Sequence, residues 1–411
     1  MSTEICFWLL VGFVLYTYVG YPLLLGLAVR IKRPPIPTQE AQQPSVSVIL
    51  AVYNEEQTLA RRVQEITNLI DASGIEAEVI IVSDGCTDNT NYIARSFVNS
   101  TVRLIELPTN SGKAAALTIG CQAARNEILM FADARQVWDS EALVQLLRPF
   151  ADPQVGAVSG DLTIETSPGV MGGVGMYWRY EKWLRRKESQ LHSIVGVTGA
   201  ISAVRRKLFR PIPVGTLLDD VYWPLQVALQ GYRVVHESRA RAFDRFPDRV
   251  RSEFRRKVRT LTGNFQLLAL VPSALVPWRN PVWFQFLSHK VFRLLVPWAL
   301  LGALCLNLAL SGTVYEVTLW AQVLFYSLAT IGLNPEIARR FRTASAATSF
   351  VVLNTAAWLA FWNWLSGRAA RSWVKVTYQP RTLTSPPTRQ AVRAQRHGTS
   401  RVATSNLPDS A

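Results

Sequence analysis

Acidic residues stand at three points of this sequence where they could bind a charged ligand. Asp133 follows the apolar run of residues 129–132, Asp84 closely follows the predicted strand 78–82, and Asp219 and Asp220 are adjacent. In an open α/β sheet, ligands bind at the carboxyl ends of the strands. A carboxylate placed there can hold a divalent cation and, through it, a diphosphate. Each aspartate taken alone could equally be a helix N-cap or a turn residue.

The elements that must position these acids follow from the apolar pattern. Short β-branched runs separated by amphipathic stretches are typical of buried parallel strands that alternate with helices. Asn54 is a candidate N-cap, with Glu55 and Glu56 in the first turn of a helix that extends to about residue 70. The predicted strands are residues 46–52, 78–82, 102–106 and 127–131, and the helices between them are 54–70, from 88 onwards, and 114–124. This alternation predicts a parallel, doubly wound sheet.

The second half of the same region is less regular. Gly199 and Ala200 lie in a run of small residues, where another chain segment could approach closely. The loop at residues 110–113 resembles a P-loop, but it lacks the first glycine and the Ser or Thr after the lysine, so we reject that interpretation. The predicted elements are a strand over 157–165, an aromatic and charged helix over 171–190, a strand or turn over 197–204, a helix from 219 to about 231, a strand over 232–236 and a basic helix over 248–266.

Long apolar stretches at both ends of the sequence predict membrane spans. Residues 5–29 are long enough to cross the hydrocarbon core, and the basic residues that follow them place the next segment in the cytoplasm. Three further candidate spans lie near residues 291–310, 315–333 and 347–365. The apolar segment between residues 267 and 289 is broken by prolines, which favours an interfacial position.

These patterns divide the chain into six predicted regions. They are an N-terminal anchor (1–33), a linker (34–44), a globular domain (45–266), an interfacial segment (267–289), about three C-terminal spans (290–366) and a basic, disordered tail (367–411). We therefore expect an integral membrane protein, in the inner or plasma membrane if the source is bacterial, whose globular domain is cytoplasmic. The four cysteines show no CxxC spacing, which agrees with a reducing compartment.

The net charge of +15 raises the question of nucleic-acid binding. The basic residues lie beside apolar spans and in the tail, where anionic lipid is the better partner. No helix-turn-helix, zinc-finger or RRM pattern is present, so we expect no nucleic-acid partner. A basic nucleic-acid-binding membrane protein stays as an alternative, and it predicts binding that falls steeply with salt.

The ordered set of motifs resembles the membrane-integrated family 2 glycosyltransferases of GT-A fold. This family includes the synthases of hyaluronan, cellulose, chitin oligosaccharides and poly-N-acetylglucosamine. The resemblance covers residues 45–265 and the membrane layout, and its motifs are VILAVYNE (48–55), SDGCTD (83–88), NSGKAAAL (110–117), DAR (133–135), VTGA (197–200), DD (219–220) and RKVRT (256–260). It implies a Rossmann-like α/β domain for nucleotide-diphospho-sugar transfer, embedded between transmembrane helices.

The resemblance also implies roles for individual residues. Asp84 would hydrogen-bond the uracil of a UDP-sugar, and Lys113 would support the nucleotide or pair with an acidic neighbour. Without the family pattern, Glu55 is best explained as a first-turn acid and Lys113 as a solvated helix residue. The implied nucleotide-sugar site comprises Ala51, Tyr53, Glu55, Asp84, Lys113, Asp133 and Arg135, and the acceptor side comprises Thr198, Gly199 and Ala200.

The adjacent acids Asp219 and Asp220 match the family's catalytic pair in order and spacing. Asp220 is the predicted general base, which would deprotonate the acceptor hydroxyl as its oxygen attacks the anomeric carbon. The implied mechanism is a single inverting displacement. The simpler explanation is that both acids cap the helix that follows.

Two positions depart from the family pattern. The Asp-x-Asp motif is Asp-Ala-Arg here, which leaves Asp133 as the predicted ligand of Mg²⁺ or Mn²⁺, while Arg135 would contact phosphate. The Gln-x-x-Arg-Trp motif begins with Arg256 and ends in Thr260, with Arg259 on the diphosphate side. The missing Trp weakens the case for processive polymer synthesis. The same cluster could form a basic helix on anionic lipid.

The predicted function is therefore transfer of a hexose or N-acetylhexosamine from a UDP-sugar to a growing polysaccharide or a lipid-linked acceptor. Transfer of a single sugar to a lipid is the first alternative, and a non-catalytic membrane scaffold that kept the fold is the second. The aromatic residues of 171–190 could stack sugars, although a packed or interfacial stripe is the better interpretation. The sequence leaves accessory or export proteins undefined.

Overall fold

The computed structural model describes residues 2–31, 44–165, 172–245 and 250–367. The predicted linker, apart from residue 44, and the tail, apart from residue 367, lie outside the described residues. The strands are β1 (Val46–Val52), β2 (Ala77–Asp84), β3 (Val102–Leu107), β4 (Ile128–Ala132), β5 (Val137–Trp138), β6 (Val155–Glu165), β7 (Ile201–Arg205) and β8 (Arg233–Arg245).

The helices surround this sheet and extend the chain at both ends. They are α1 (Thr3–Leu15), α2 (Tyr21–Ile31), α3 (Leu59–Ser73), α4 (Thr90–Ser96), α5 (Lys113–Ala123), α6 (Ala142–Leu147), α7 (Gly172–Leu191), α8 (Asp219–Leu229), α9 (Val250–Leu270), α10 (Trp283–Gln285), α11 (Phe292–Ala309), α12 (Thr313–Ile331), α13 (Pro335–Arg340) and α14 (Arg342–Leu365). Tyr16–Gly20 and Phe286–Val291 are π-helical and make α1 continuous with α2 and α10 with α11.

The strands form one mixed sheet in the order β3-β2-β1-β4-β7-β6-β8-β5. The four strands from β3 to β4 are parallel, as predicted, with Leu50 opposite both Ile81 and Ala132. The predicted parallel pairing does not extend to the other half, where β7 runs antiparallel to both β4 and β6, β5 runs antiparallel to β8, and β6 and β8 are parallel. Apolar periodicity identifies strands but does not set their direction.

Two predicted boundaries also differ from the structure. The helix expected from Asn54 begins at Leu59, because Asn54 adopts a left-handed conformation with φ 55°. Asparagine tolerates this region better than most residues. The last strand, predicted to end at His236, continues to Arg245 and pairs with β6 along its length. Its second half alternates polar residues with the buried Ala240 and Ala242, so only one face enters the core.

The core lies on both faces of the sheet. One apolar cluster is formed with α3 and α6, and the other with α5 and α8. Gly120 shows how closely α5 approaches the sheet, since an added Cβ would lie 2.7 Å from Ile49 and 3.0 Å from Val82. This close contact fixes the N-terminus of α5, where Lys113 lies.

Four helical segments of the described chain are long and apolar enough to cross a membrane, namely Thr3–Ile31, Trp283–Ala309, Thr313–Ile331 and Arg342–Leu365. Trp298 packs against Trp358 with ring centroids 3.9 Å apart, which assigns these tryptophans to helix packing. The proline-containing segment predicted to be interfacial, residues 267–289, includes a short 3-10 turn, Pro272–Leu275, and the start of the second apolar helix. Trp278 between them is 83% exposed.

The aromatic helix α7 packs on its neighbours. Lys257 of α9 lies 4.9 Å from the ring centroid of Tyr177, and Tyr180 donates a hydrogen bond to the carbonyl of Tyr18. These contacts agree with a packed aromatic stripe. α7 therefore connects the first apolar helix to α9 and to the sheet domain.

Candidate active site

The predicted ligand-binding acids converge at the carboxyl edge of the parallel strands. Asp84 is the last residue of β2, Ala51 lies near the end of its neighbour β1, and Asp133 follows β4 on the other side of β1. The fold thus brings together positions that are up to 82 residues apart in the sequence, because the parallel strands β2, β1 and β4 are in register and end at the same edge.

Asp84 joins two loops of this edge. Its Oδ1 accepts a hydrogen bond from the N–H of Ser111 at 2.7 Å, and its Oδ2 accepts one from Gly112 at 2.8 Å. The next residue, Gly85, has φ 62°, and a Cβ there would lie 2.3 Å from the Asn110 nitrogen. Asp84 is nearly buried. The contacts of Asp84 hold the loop that leads into α5. The hydrogen bond from Asp84 to uracil remains a prediction.

The loop after β1 is tied to the loop after β2. The N–H of Glu55 donates to Thr90 at 2.7 Å, and the carboxylate of Glu55 accepts from Thr58 at 2.6 Å. The Asn54 side chain accepts from the N–H of Thr87 at 2.8 Å. Tyr53 precedes this bend and is half-buried. These bonds fix the position of the segment predicted to hold the nucleoside.

Lys113 forms the centre of a charged cluster. Its Nζ lies 2.8 Å from Asp133 Oδ1 and 3.7 Å from Asp219 Oδ2. Burial disfavours the charged ammonium, but the carboxylates Asp133 and Asp219 outweigh it and raise the pKa of Lys113. Lys113 therefore stays protonated, and the expectation that it pairs with an acidic neighbour is met in this structure.

The loop of residues 198–200, which was predicted to lie on the acceptor side, lies against this cluster. A Cβ added to Gly199 would lie 3.3 Å from Lys113 Nζ and 3.9 Å from Asp133 Oδ2. Thr198 donates its N–H to Ser159 at 3.1 Å, and the Ala200 carbonyl accepts from the Trp138 indole at 2.9 Å. Hydrogen bonds at Thr198 and Ala200 thus hold the loop on both sides of Gly199. Because glycine has no side chain, space remains beside Lys113 and Asp133.

Asp220 is the second residue of α8, and its carbonyl accepts the N–H of Val197 at 2.9 Å. Burial and the neighbouring charge of Asp219 raise the pKa of Asp220 to about 6, while Lys113, Arg185 and Lys290 act in the opposite direction. A carboxylate with such a pKa is ionised near neutral pH and is more basic than an ordinary aspartate, which suits a general base.

Arg135 forms a salt bridge with Asp244, which was not among the predicted site residues. Its Nη2 lies 2.8 Å from Asp244 Oδ2, and its Nε lies 3.2 Å from Asp244 Oδ1. Its side chain is 36% exposed. The predicted phosphate contact would therefore compete with Asp244. Strand β8, which carries Asp244, was predicted to end at His236, so this acid was not among the predicted site residues.

Two arginines of α3 support the backbone beside Asp133. Arg62 is fully buried and donates to the Asp133 carbonyl at 3.0 Å, while Arg61 donates to the Arg135 carbonyl at 3.1 Å. Arg62 stands among the apolar positions Leu59, Val63 and Ile66, on the face of α3 that enters the core. A charged residue at such a position is the sequence signal that would have identified it.

The residues present fit a divalent cation that takes one carboxylate ligand from the protein and most of its other ligands from a bound diphosphate and from water. The described part of the chain contains no group of three or more His, Cys, Asp or Glu side chains that could hold a metal ion. Asp133 has a side chain that is 32% exposed, and one of its two oxygens is bonded to Lys113. Because Mg²⁺ keeps several waters and takes one or two carboxylates plus substrate phosphates, Asp133 with a diphosphate is an adequate donor set.

The two predicted diphosphate-side arginines, Arg256 and Arg259, lie half-buried on α9. The later part of the same helix contacts the loop before Asp219 and Asp220. Gln266 accepts the N–H of Leu217 at 2.9 Å, and a Cβ on Gly263 would lie 2.6 Å from Leu218. α9 thus connects the loop before Asp219 and Asp220 to the long apolar helix α14, since Thr262 donates a hydrogen bond to the Ala360 carbonyl.

Comparison with known proteins agrees with this geometry. Residues 47–212 match the family model described as Glycosyl transferase family 2. A poly-beta-1,6-N-acetyl-D-glucosamine synthase of Staphylococcus epidermidis is 25% identical over 240 residues, which cover 57% of this chain and 58% of the relative. The same enzyme of Staphylococcus aureus is 25% identical over 246 residues, which cover 58% of each chain. The chain thus spans less than two thirds of these relatives.

Among solved structures, the mannosyltransferase PcManGT from Pyrobaculum calidifontis, in complex with GDP-Man and Mn²⁺, superposes with a TM-score of 0.64. It is 23% identical, and the match covers 88% of this chain and 99% of that one. This likeness shows the fold, and the predicted GT-A class is confirmed.

Proposed function

We propose that this chain, whose residues 47–212 form a family 2 glycosyltransferase domain, is a membrane-bound inverting transferase. It moves a hexose or N-acetylhexosamine from a UDP-sugar to a growing polysaccharide or a lipid-linked acceptor. The observation that carries the proposal is the charged cluster in which Lys113 lies 2.8 Å from Asp133 and 3.7 Å from Asp219, beside Asp220. A base, a fixed cation and a partly exposed carboxylate stand together at the ligand-binding edge of the sheet.

In the proposed reaction, Asp220 is the general base. It accepts the proton of an acceptor hydroxyl while that oxygen attacks the anomeric carbon of the donor sugar. The bond between this carbon and the diphosphate oxygen breaks in the same step, and UDP leaves with the bonding electron pair. One displacement from the face opposite the leaving group inverts the configuration, without a covalent enzyme intermediate.

Lys113 and a divalent cation at Asp133 would neutralise the negative charge of the departing diphosphate. The ammonium of Lys113 is held in place by two carboxylates and can form hydrogen bonds with phosphate oxygens as negative charge develops. A divalent cation, Mg²⁺ or Mn²⁺, would supply further neutralisation when bound at Asp133. The archaeal structure neighbour contains Mn²⁺, which supports a metal in proteins of this fold.

The donor nucleoside would bind along the loops that follow β1 and β2, at Ala51, Tyr53, Glu55 and Asp84. The staphylococcal relatives are named as synthases of a polymer of N-acetylglucosamine, which supports an N-acetylhexosamine donor and a polysaccharide product. Thr260, where the family has Trp, supports shorter products or a single transfer to a lipid. Thr198, Gly199 and Ala200 would face the acceptor, and Arg256 and Arg259 the diphosphate.

The four long apolar helices support integration in a membrane, with lipid as a partner. We place the catalytic domain in the cytoplasm, because nucleotide sugars are made there and because basic residues follow the first apolar helix. The rival proposal, a non-catalytic membrane scaffold, is supported by the loss of the second acid of the Asp-x-Asp motif.

Release of UDP by the purified chain in lipid nanodiscs tests the proposal. A panel of UDP-sugars would be assayed with Mg²⁺, Mn²⁺ or EDTA, for the natural chain, Asp220→Asn and the matched control Asp71→Asn, which changes an exposed residue of α3. We expect release with one sugar that is lost in EDTA and in Asp220→Asn, but retained in Asp71→Asn. Release that survives Asp220→Asn would remove Asp220 as the base, and no release from folded protein with added acceptor would support the scaffold.

A further inference from the structure

Trp138 lies between two parts of the candidate site. It belongs to the two-residue strand β5, which pairs with β8 at the edge of the sheet and places Trp138 opposite Ala242. Its backbone N–H donates to Glu65 of α3 at 2.6 Å, and its side chain is buried, with 3% of the residue exposed. α3 and β8 therefore hold the backbone of Trp138 on two sides, so the indole ring extends from a fixed point.

The face of the indole contacts the arginine that holds Asp133. The Arg62 guanidinium carbon lies 4.5 Å from the centroid of the Trp138 ring, which is a cation–π distance, and Arg62 Nε donates to the Asp133 carbonyl at 3.0 Å. Arg62 Nη1 also donates to Glu65 at 2.7 Å. Because Arg62 is fully buried, its position depends on these partners, and the Trp138 ring thereby supports the backbone of Asp133.

The indole N–H holds the loop of residues 198–200. It donates to the Ala200 carbonyl at 2.9 Å in a buried hydrogen bond. In the same loop, a Cβ added to Gly199 would lie 3.9 Å from Asp133 Oδ2. Removing the donor from a buried carbonyl is costly in the protein interior. The Trp138 N–H therefore holds the loop at this short distance from Asp133.

We propose that Trp138 is a positioning residue that sets the spacing between the donor side and the acceptor side of the site. Its ring supports Asp133 through Arg62, and its N–H supports the loop through Ala200. Because one rigid side chain makes both contacts, the two sides of the site keep a constant separation. Trp138 acts only through these neighbours, so it is not a catalytic residue.

This inference rests on the proposed function, in which Asp133 holds a cation with the donor diphosphate and the loop of residues 198–200 faces the acceptor. Transfer requires the acceptor hydroxyl to lie close to the anomeric carbon, and a displacement of about 1 Å can lower the rate by about 10²-fold. The spacing between Asp133 and the loop therefore affects the rate of transfer. The affinity for the donor depends on the Asp133 side alone.

Two substitutions separate the two contacts of Trp138. Trp138→Phe keeps an aromatic ring beside Arg62 and removes the N–H, whereas Trp138→Leu removes both. The matched control is Trp283→Phe, which removes an indole N–H that donates to the Leu275 carbonyl at 2.8 Å, in α10 outside the sheet. The full chain in lipid nanodiscs would be studied by hydrogen–deuterium exchange of residues 197–201, by electron paramagnetic resonance of Mn²⁺ bound with UDP, and by the kinetics of UDP release.

We expect Trp138→Phe to show faster exchange of the loop and a kcat at least ~5-fold lower, as for loss of one neutral hydrogen bond, with an unchanged KM for the UDP-sugar. Its affinity for Mn²⁺ with UDP should equal that of the natural chain. In Trp138→Leu this affinity should also fall, because Arg62 loses its aromatic partner. Trp283→Phe should match the natural chain in all three measurements. A purely structural role of Trp138 would lower thermal stability without separating kcat from KM.

Unchanged exchange of residues 197–201 in a folded Trp138→Phe would overturn the inference, and so would faster exchange with an unchanged kcat. Equal effects in Trp138→Phe and Trp283→Phe would also contradict it, since the loss of any indole donor would then suffice. Unchanged affinity for Mn²⁺ with UDP in Trp138→Leu would remove the link to Asp133. If the natural chain releases no UDP from any UDP-sugar, the proposed transferase is rejected, while loop exchange and Mn²⁺ binding still decide whether Trp138 connects Asp133 to the loop.

Discussion

The Arg135 guanidinium makes two hydrogen bonds with the Asp244 carboxylate, at 2.8 Å and 3.2 Å. Arg135 stands where family 2 transferases carry the second acid of their Asp-x-Asp motif, and Asp244 is supplied by the end of β8. The reversed charge at position 135 is therefore compensated within the protein. This pair joins the segment after β4 to the end of β8, and Asp133 is the acid that the motif retains.

A double-mutant cycle of Arg135→Ala and Asp244→Ala should reveal a coupling free energy of about 1 kcal/mol, the upper end for partly exposed pairs. The measurement is the free energy of unfolding of each variant in detergent. The control cycle uses Arg95 and Glu106, a two-bond pair whose arginine is 63% exposed, and it should give a smaller coupling. Equal couplings in the two cycles would show that the lower exposure of Arg135 and Asp244 does not strengthen their ion pair.

The pH dependence of UDP release should follow ionisation of Asp220. Because the base must be deprotonated and burial and Asp219 raise its pKa to about 6, activity should rise with pH and reach half its maximum near that value. The ionised form is disfavoured in the folded protein, so Asp220→Asn should unfold at a higher temperature than the natural chain above pH 6 while losing roughly 10²–10⁴-fold in activity. A flat profile between pH 5 and pH 7 would contradict this assignment.

Lys113→Met should lower activity and move the same pH profile upward. The ammonium of Lys113 lowers the pKa of Asp220, so its removal leaves the base protonated to a higher pH. Comparing profiles of Lys113→Met and Lys207→Met separates this effect from a general change of surface charge, because Lys207 is exposed. A loss of activity with no shift of the profile would indicate that Lys113 acts on the diphosphate alone.

Gly199→Ala should reduce activity without unfolding the protein. The new methyl would lie 3.3 Å from Lys113 Nζ, the mobile end of a side chain, so the cost is displacement of the ammonium from Asp133. The control is Gly12→Ala in α1, where no atom other than the neighbouring residues and backbone of its own helix lies within 4 Å of the added Cβ. Kinetics and thermal unfolding would be measured for both. Full activity in Gly199→Ala would show that the cluster does not depend on this close approach.

The amino-acid sequence alone determined the parallel half of the sheet and the long apolar helices. Runs such as residues 46–52 and 128–132 are largely apolar because both faces of a central strand are buried, and this local pattern can be recognised without the fold. The strand-end positions of Asp84 and Asp133 follow from the same runs. The grouping of these two acids with Asp220 came from motif order, and the common strand edge explains only why Asp84 and Asp133 lie at the same end of the sheet.

The tertiary structure alone decided how the charges are paired. Asp244 meets Arg135 across 109 residues, Glu188 meets His289 across 101, and Lys113 meets Asp133 across 20. Such pairs depend on strand direction, on the continuation of β8 past His236 and on the packing of α7 against the apolar helices. None of these three features can be recognised from a local sequence pattern. Ion pairs between distant segments are determined by the fold and not by the spacing of neighbouring residues.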